Sequence, residues 1–147
     1  MYKSIVVGTD GSATSAKAVE AACDIAKAFG ATVHLVSAYR PAPLLVAGTS
    51  PGLMESAAVE AGQALAEETV SLVDKQRAAI AARGIDVEGH TGAGEASDVI
   101  LDVAGRCSAD LVVVGSKGMT GARQILGSVP NRISHRARTS VLIVKTT

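Results

Sequence analysis

The stretch LVVVG at residues 111–115 decides the fold. Three valines follow a leucine without alternation, and a glycine ends the run. A strand with one wet face alternates apolar and polar residues; an unbroken run is how a strand covered on both faces reads. VLIV at residues 141–144 has the same signature. More mixed versions stand at residues 4–7, 32–38 and 85–87 with their flanks.

Helical patterns separate these five runs. In the first, Ala18, Ala22, Ile25 and Phe29 form one stripe, and Gly30 supplies the left-handed residue that stops a helix. A second runs over residues 55–83, with Val59, Ala66, Val70, Val73 and Ile80 on one face and Gly84 closing it. A third begins near Glu95 and carries Val99, Ile100 and Val103. A fourth begins at Ser128, its candidate cap, with Pro130 tolerated in the first turn. The order β-α-β-α-β-α-β-α-β has no repeat and no interdomain linker. It predicts a single α/β domain over residues 1–147, a parallel sheet with right-handed crossovers and helices on both faces. Residues 40–52, with Pro41, Pro43, Pro51 and two glycines, read as a mobile surface loop able to cover a ligand.

Composition narrows the function. The 147 residues are 48% hydrophobic, which excludes disorder, and 14 basic residues cancel 14 acidic ones. A free-standing electrostatic binder of nucleic acid or anionic membrane carries a basic excess, which this chain lacks. Tyr2, Tyr39 and Phe29 are the only aromatics, too few for a stacking platform on single strands. The neutral total conceals a division. Residues 111–147 hold six cations and no carboxylate, so residues 1–110 set eight cations against fourteen carboxylates. Arg132, Arg136 and Arg138 read as the solvated face of a basic helix. Cys23 and Cys107 show no CxxC spacing and read as small buried hydrophobes in a reducing compartment. No signal sequence appears at the N-terminus, and no run approaches the roughly 20 apolar residues of a membrane helix. The expectation is a cytoplasmic protein.

Ligands of open α/β sheets bind beyond the carboxyl ends of the strands, near the switch in strand order. Two such ends carry chemistry. After the fourth strand come Gly115-Ser116-Lys117-Gly118 and, further on, Gly127-Ser128 at a helix start. Gly115 and Gly118 let backbone N–H groups approach an anion, while Gly127 and Ser128 add N–H groups and a hydroxyl at the positive end of a helix. Lys117 and Arg123 add charge. After the first strand comes Gly8-Thr9-Asp10-Gly11-Ser12, where Asp10 can accept from ribose hydroxyls, approach a metal ion beside phosphates, or hold a turn at the helix start.

VVGTDGS near the N-terminus, and VVVGSKGMTGARQILGSVPNRISHRA followed by VLIV, resemble the universal stress protein family over essentially the whole chain. Nucleotide-binding members carry G-x2-G-x9-G-[ST] after the fourth strand; this chain has G-x2-G-x8-G-S, one residue shorter between Gly118 and Gly127. The resemblance implies a Rossmann-like five-stranded sheet in the order 3-2-1-4-5 and an adenine nucleotide at its carboxyl edge. By position, Asp10 would meet ribose and the backbone at Ala38 would meet adenine. Gly115, Gly118, Gly127, Ser128 and Val129 would line the ribose and phosphate path, with Thr9 walling the pocket. Ser116 and Lys117 belong to the same loop.

The ligand implied is ATP or AMP, with Mg2+ near Asp10 accompanying ATP, or alternatively cAMP. The resemblance also implies a homodimer through the last strand. That agrees with an edge strand as apolar as VLIV, since exposed edges are normally covered or paired. An enzyme is less supported. A Walker A motif is absent, and Gly92-Ala93-Gly94-Glu95-Ala96-Ser97 is only half a dinucleotide fingerprint. His34, His90 and His135 show no metal-ligand spacing and read as ordinary structural or surface residues. Slow ATP hydrolysis is the most that positioning alone would provide. A nucleotide-free dimeric scaffold is the third reading.

Overall fold

The computed structural model describes residues 1–40, 50–116 and 126–146. Nine elements alternate along the chain: β1 (Ser4–Gly8), α1 (Ala13–Phe29), β2 (Thr32–Tyr39), α2 (Pro51–Ala81), β3 (Val87–Ala93), α3 (Ala96–Arg106), β4 (Leu111–Gly115), α4 (Ser128–Arg136) and β5 (Ser140–Val144). The strands form one sheet in the order β3-β2-β1-β4-β5, and every pairing is parallel. The expected topology is thus present. Chain direction across the sheet reverses between β1 and β4.

Side-chain alternation sorts the central strands into two cores. Ile5, Val7, Val33, Leu35, Leu111 and Val113 face α1 and α2, against Ala18, Ala22, Ala26, Val73 and Ile80. Val6, Val36, Val112 and Val114 face α3 and α4, against Ile100, Val103 and Ile133. Alanines on α1 allow the helix close to the sheet, which explains how the core does without aromatic bulk. Phe29, expected on the α1 stripe, is 48% exposed and lies edge-on to Tyr2 at 5.6 Å between ring centroids. Cys23 and Ala26 complete the buried stripe instead. Gly30 ends α1 with φ 68°, as expected.

Two further expectations are corrected. Helix α2 begins at Pro51 rather than Glu55, so Pro51 and Gly52 belong to it; residues 41–49 of the expected loop lie outside the described residues. Of its expected apolar face only Val73 and Ile80 are buried, while Val59 and Val70 are 54% and 44% exposed. Length explains this. A helix of 31 residues extends ~46 Å, whereas the eight residues of β2 span ~26 Å. The amino-terminal part of α2 outruns the sheet.

Strand β3 occupies Val87–Ala93, so Thr91, Gly92 and Ala93 lie inside it rather than beyond it. It is an edge strand with the polar sequence VEGHTGA, and apolarity therefore marks it poorly. Its glycines record close packing instead. A Cβ at Gly89 would stand 2.6 Å from Val73 Cγ1, and one at Gly92 would stand 2.7 Å from Val99 Cγ1. Valine in a helix has one strongly preferred rotamer, so Val99 cannot easily turn aside. We expect Gly92→Ala to cost about 1–3 kcal/mol through overpacking. Urea unfolding of Gly92→Ala, Val99→Ala and the double variant should give a combined loss smaller than the sum. Strict additivity would mean that α3 is not seated on Gly92.

Candidate functional site

The end of β1 builds a hydroxyl-rich turn. Thr9 is buried and its N–H donates to the Val36 carbonyl at 2.9 Å, holding the chain beside β2. Asp10 Oδ1 accepts from the Ser12 N–H at 3.0 Å and from the Ser12 hydroxyl. Ser12 Oγ in turn accepts from the Ser15 N–H at 3.1 Å, which caps α1. Gly11 makes the turn with φ +78°, and Ser15 Oγ lies 3.3 Å from Thr9 Oγ1. Asp10 therefore has the turn-forming role that its Asp-Gly-Ser context permits, and it also lines the cavity described next.

That cavity has a volume of about 450 Å³ and opens at the carboxyl ends of β1, β2 and β4. Gly8, Thr9 and Asp10 supply one side, Val36 and Ala38 a second, and Val114 and Gly115 a third. Gly127, Ser128, Val129 and Pro130 bring in the amino terminus of α4, Thr14 and Ser15 that of α1, and Ala96 and Ile100 a wall from α3. The sheet thus brings together seven residues singled out from the sequence: Thr9, Asp10, Ala38, Gly115, Gly127, Ser128 and Val129. Asp10 is the only ionisable side chain among the described residues lining the cavity.

One expected residue stands elsewhere. Ser116 is buried beside the C-terminal segment, its Oγ accepting from the Thr146 N–H at 3.1 Å and its N–H donating to Val144 O at 2.9 Å. It does not line the cavity. Lys117 and Gly118 lie outside the described residues. Ser128, expected to cap α4, is its first residue; Gly127 is the cap and has no side chain with which to hold that end. The first N–H groups of a helix have no intrahelical acceptors, so this end of α4 presents donors and a partial positive charge.

Thr14, Ser15, Ile100 and Pro130 escaped the sequence reading. The run Ser12-Ala13-Thr14-Ser15 carried a usable signal, three hydroxyls at a helix start beside a strand end. Ile100 carried none, because it reaches the site by packing. A Cβ at Gly8 would meet its Cδ1 at 2.7 Å.

The basic face expected on α4 is partly neutralised. Arg132 pairs with Glu95, which also holds Arg40 at 2.6 Å, and Arg136 pairs with Asp98. These carboxylates belong to the start of α3 or its cap, so the pairs tie α4 to α3 beside the cavity. At such exposure each contributes about 0–1 kcal/mol.

The histidines are not isolated either. His34 Nδ1 lies 3.1 Å from His90 Nε2 and 3.4 Å from Cys107 Sγ. Burial, followed by the neighbouring His34, pushes the His90 pKa down, and burial pushes the Cys107 thiol up.

A doubly wound parallel α/β unit with a ligand-sized crevice at its topological switch point is the class that this fold and site define. The model of the universal stress protein family matches residues 1–145. Universal stress protein Rv1636 of Mycobacterium tuberculosis is 40% identical over 147 residues, covering 99% of this chain and 98% of that protein. A solved universal stress protein in complex with cAMP superposes with a TM-score of 0.71 at 31% identity, over 99% of this chain and 98% of that one. UspA from Lactobacillus plantarum superposes with a TM-score of 0.78 at 20% identity over 97% of each chain, a likeness of fold. The chain belongs to the universal stress protein family.

The Asp10–Ser12–Ser15 chain of bonds fixes the cavity rim and the start of α1 together. Ser12→Ala removes the cap and should lower stability by about 1 kcal/mol. Chemical denaturation against the parent measures this, and an unchanged midpoint would show that the cap is dispensable.

Proposed function

We propose that the cavity binds an adenine nucleotide and that the protein serves in stress response or signalling as a nucleotide-binding protein rather than a catalyst. One observation carries this reading. A backbone glycine (Gly115), a carboxylate (Asp10), a small-residue wall (Ala38) and the uncapped start of α4 converge on a single crevice. In such a site Asp10 accepts from ribose hydroxyls while the N–H groups of Ser128 and Val129 face a phosphate. Apolar Val36, Ala38 and Ile100 suit a base. Among the described residues the lining offers one carboxylate and no His, Lys or Arg, which gives little from which to build a general acid–base pair. Mg2+ would enter with ATP, held mainly by phosphates and by Asp10.

The sequence alone favours ATP or AMP. Two observations move cAMP forward. The glycine loop is one residue shorter than the usual pattern, which suits a single phosphate, and the solved relative at 31% identity is a cAMP complex. The reading therefore ranks the single-phosphate ligands, cAMP and AMP, ahead of ATP. A homodimer through β5 is part of it as well. That strand is an edge of the sheet, and Val141–Val144 are only partly covered within the chain.

Calorimetric titration with cAMP, AMP and ATP tests the ligand. We expect one site per chain, tighter binding of a single-phosphate nucleotide than of ATP, and at least tenfold weaker binding in Asp10→Ala. Absence of heat with all three ligands would leave the scaffold reading. Turnover of ATP above the buffer blank and lost in Asp10→Ala would point to an ATPase. Sedimentation equilibrium decides the dimer, which requires a mass near twice 14.8 kDa.

A further inference from the structure

The second cluster of chemistry lies under α3, toward the end remote from the cavity. Parallel register places His34 opposite Glu88 and Val36 opposite His90, so both imidazoles stand on the sheet face covered by α3. Helix α3 runs from Ala96 and Ile100 at the cavity to its cap at Cys107, a rise of ~16 Å. Cys107 is fixed from both sides. Its N–H donates to Val103 O at 2.9 Å, and its carbonyl accepts from the Ser4 hydroxyl at 3.2 Å.

His34 Nδ1, His90 Nε2 and Cys107 Sγ all lie within 4.8 Å of one another. Hydrogen bonding alone serves this arrangement badly. A neutral His34 Nδ1 carries either a proton or a lone pair. As donor to His90 it offers nothing to the thiol, and as acceptor from the thiol it cannot also accept from His90. A cation meeting three lone pairs satisfies all three atoms.

The spacing suits one. Tetrahedral Zn2+ with nitrogen ligands at about 2.0–2.1 Å and sulfur at about 2.3 Å sets N···N near ~3.3 Å and N···S near ~3.6 Å. The observed separations from His34 Nδ1 are 3.1 and 3.4 Å and the three ligand atoms lie within 4.8 Å of one another, so modest side-chain adjustment admits the ion. Glu88 Oε2 stands 3.6 Å from His34 Nδ1 and 3.9 Å from His90 Nε2, on a side chain that is 64% exposed and able to swing. Arg106, the neighbouring cation, is engaged with Asp102 at 3.0 Å.

We propose that His34, His90 and Cys107, with Glu88 as fourth ligand, form a site for a borderline-soft divalent transition-metal ion of the Zn2+ type. Two neutral imidazoles, one thiolate and one carboxylate balance the charge of the ion. The thiolate selects against Mg2+ and Ca2+. Binding forms the metal–sulfur bond and releases the Cys107 proton to solvent. Two of the three inner ligands come from neighbouring strands and the third from a helix cap held at both ends, so the folded chain meets the ion largely preorganised.

The test uses the full chain, reduced and stripped of metal with a chelator. Zn2+ titrated in competition with a chromophoric chelator should bind at one equivalent per chain. Co2+ in its place should give a thiolate-to-metal charge-transfer band. His34 is buried, so variants are made at the more accessible ligands, with circular dichroism verifying the fold. Cys107→Ser and His90→Gln should each weaken Zn2+ at least tenfold. Cys107→Ser should abolish the charge-transfer band, whereas Cys23→Ser should leave both readouts unchanged. Stoichiometry well below one, no thiolate band in the parent, or less than tenfold weakening in folded Cys107→Ser overturns the proposal.

Discussion

Everything in this structure depends on covering both faces of β1 and β4. Ile5, Val6, Val7, Val112 and Val113 are fully buried, on whichever face they point. Strands of this kind cannot be shielded by a hairpin partner, because parallel neighbours require crossovers, and crossovers place helices above and below. Switching the crossover face between β1 and β4 opens a gap at the carboxyl edge, between the crossovers that leave on opposite sides. The cavity is that gap. Its lining of Gly8, Gly115 and Ala38 follows from how closely helices and turns approach there.

The same constraint explains what the sequence disclosed. LVVV and VLIV were readable because continuous apolarity is the mark of two-sided cover or an apolar edge. Strand β3 was misplaced because an edge strand escapes that requirement. Its glycines answer to Val73 and Val99 on helices distant in sequence. Residues of the cavity that lie at strand ends or helix starts, such as Asp10 and Gly127, were legible from local chemistry. Ile100 and Pro130 were not, since they arrive through packing. His34, His90 and Cys107 were read as unrelated because motif spacing detects ligands only when they share one local element. Here three elements supply them, and strand register brings them together.

Charge shows the opposite lesson. Counting along the sequence set a basic last quarter against an acidic remainder and read its arginines as a solvated helix face. In three dimensions Arg132 and Arg136 turn to Glu95 and Asp98 instead. These two arginines join α4 to α3, and the start of α4 turns backbone donors toward the described lining. Backbone dipoles at the start of a helix keep their sign at every accessible pH, because the peptide groups that make them do not titrate.

The two edges of the sheet are chemically unlike. β5 ends it with valine, leucine and isoleucine, whereas β3 ends it with glutamate, histidine and threonine among glycines. Growth of a sheet from chain to chain through one repeated contact would require one edge to dock on the other, since a self-complementary contact by itself closes after two chains. Apolar β5 finds no match in polar β3. The unlike composition of the two margins thus works against head-to-tail growth of the sheet.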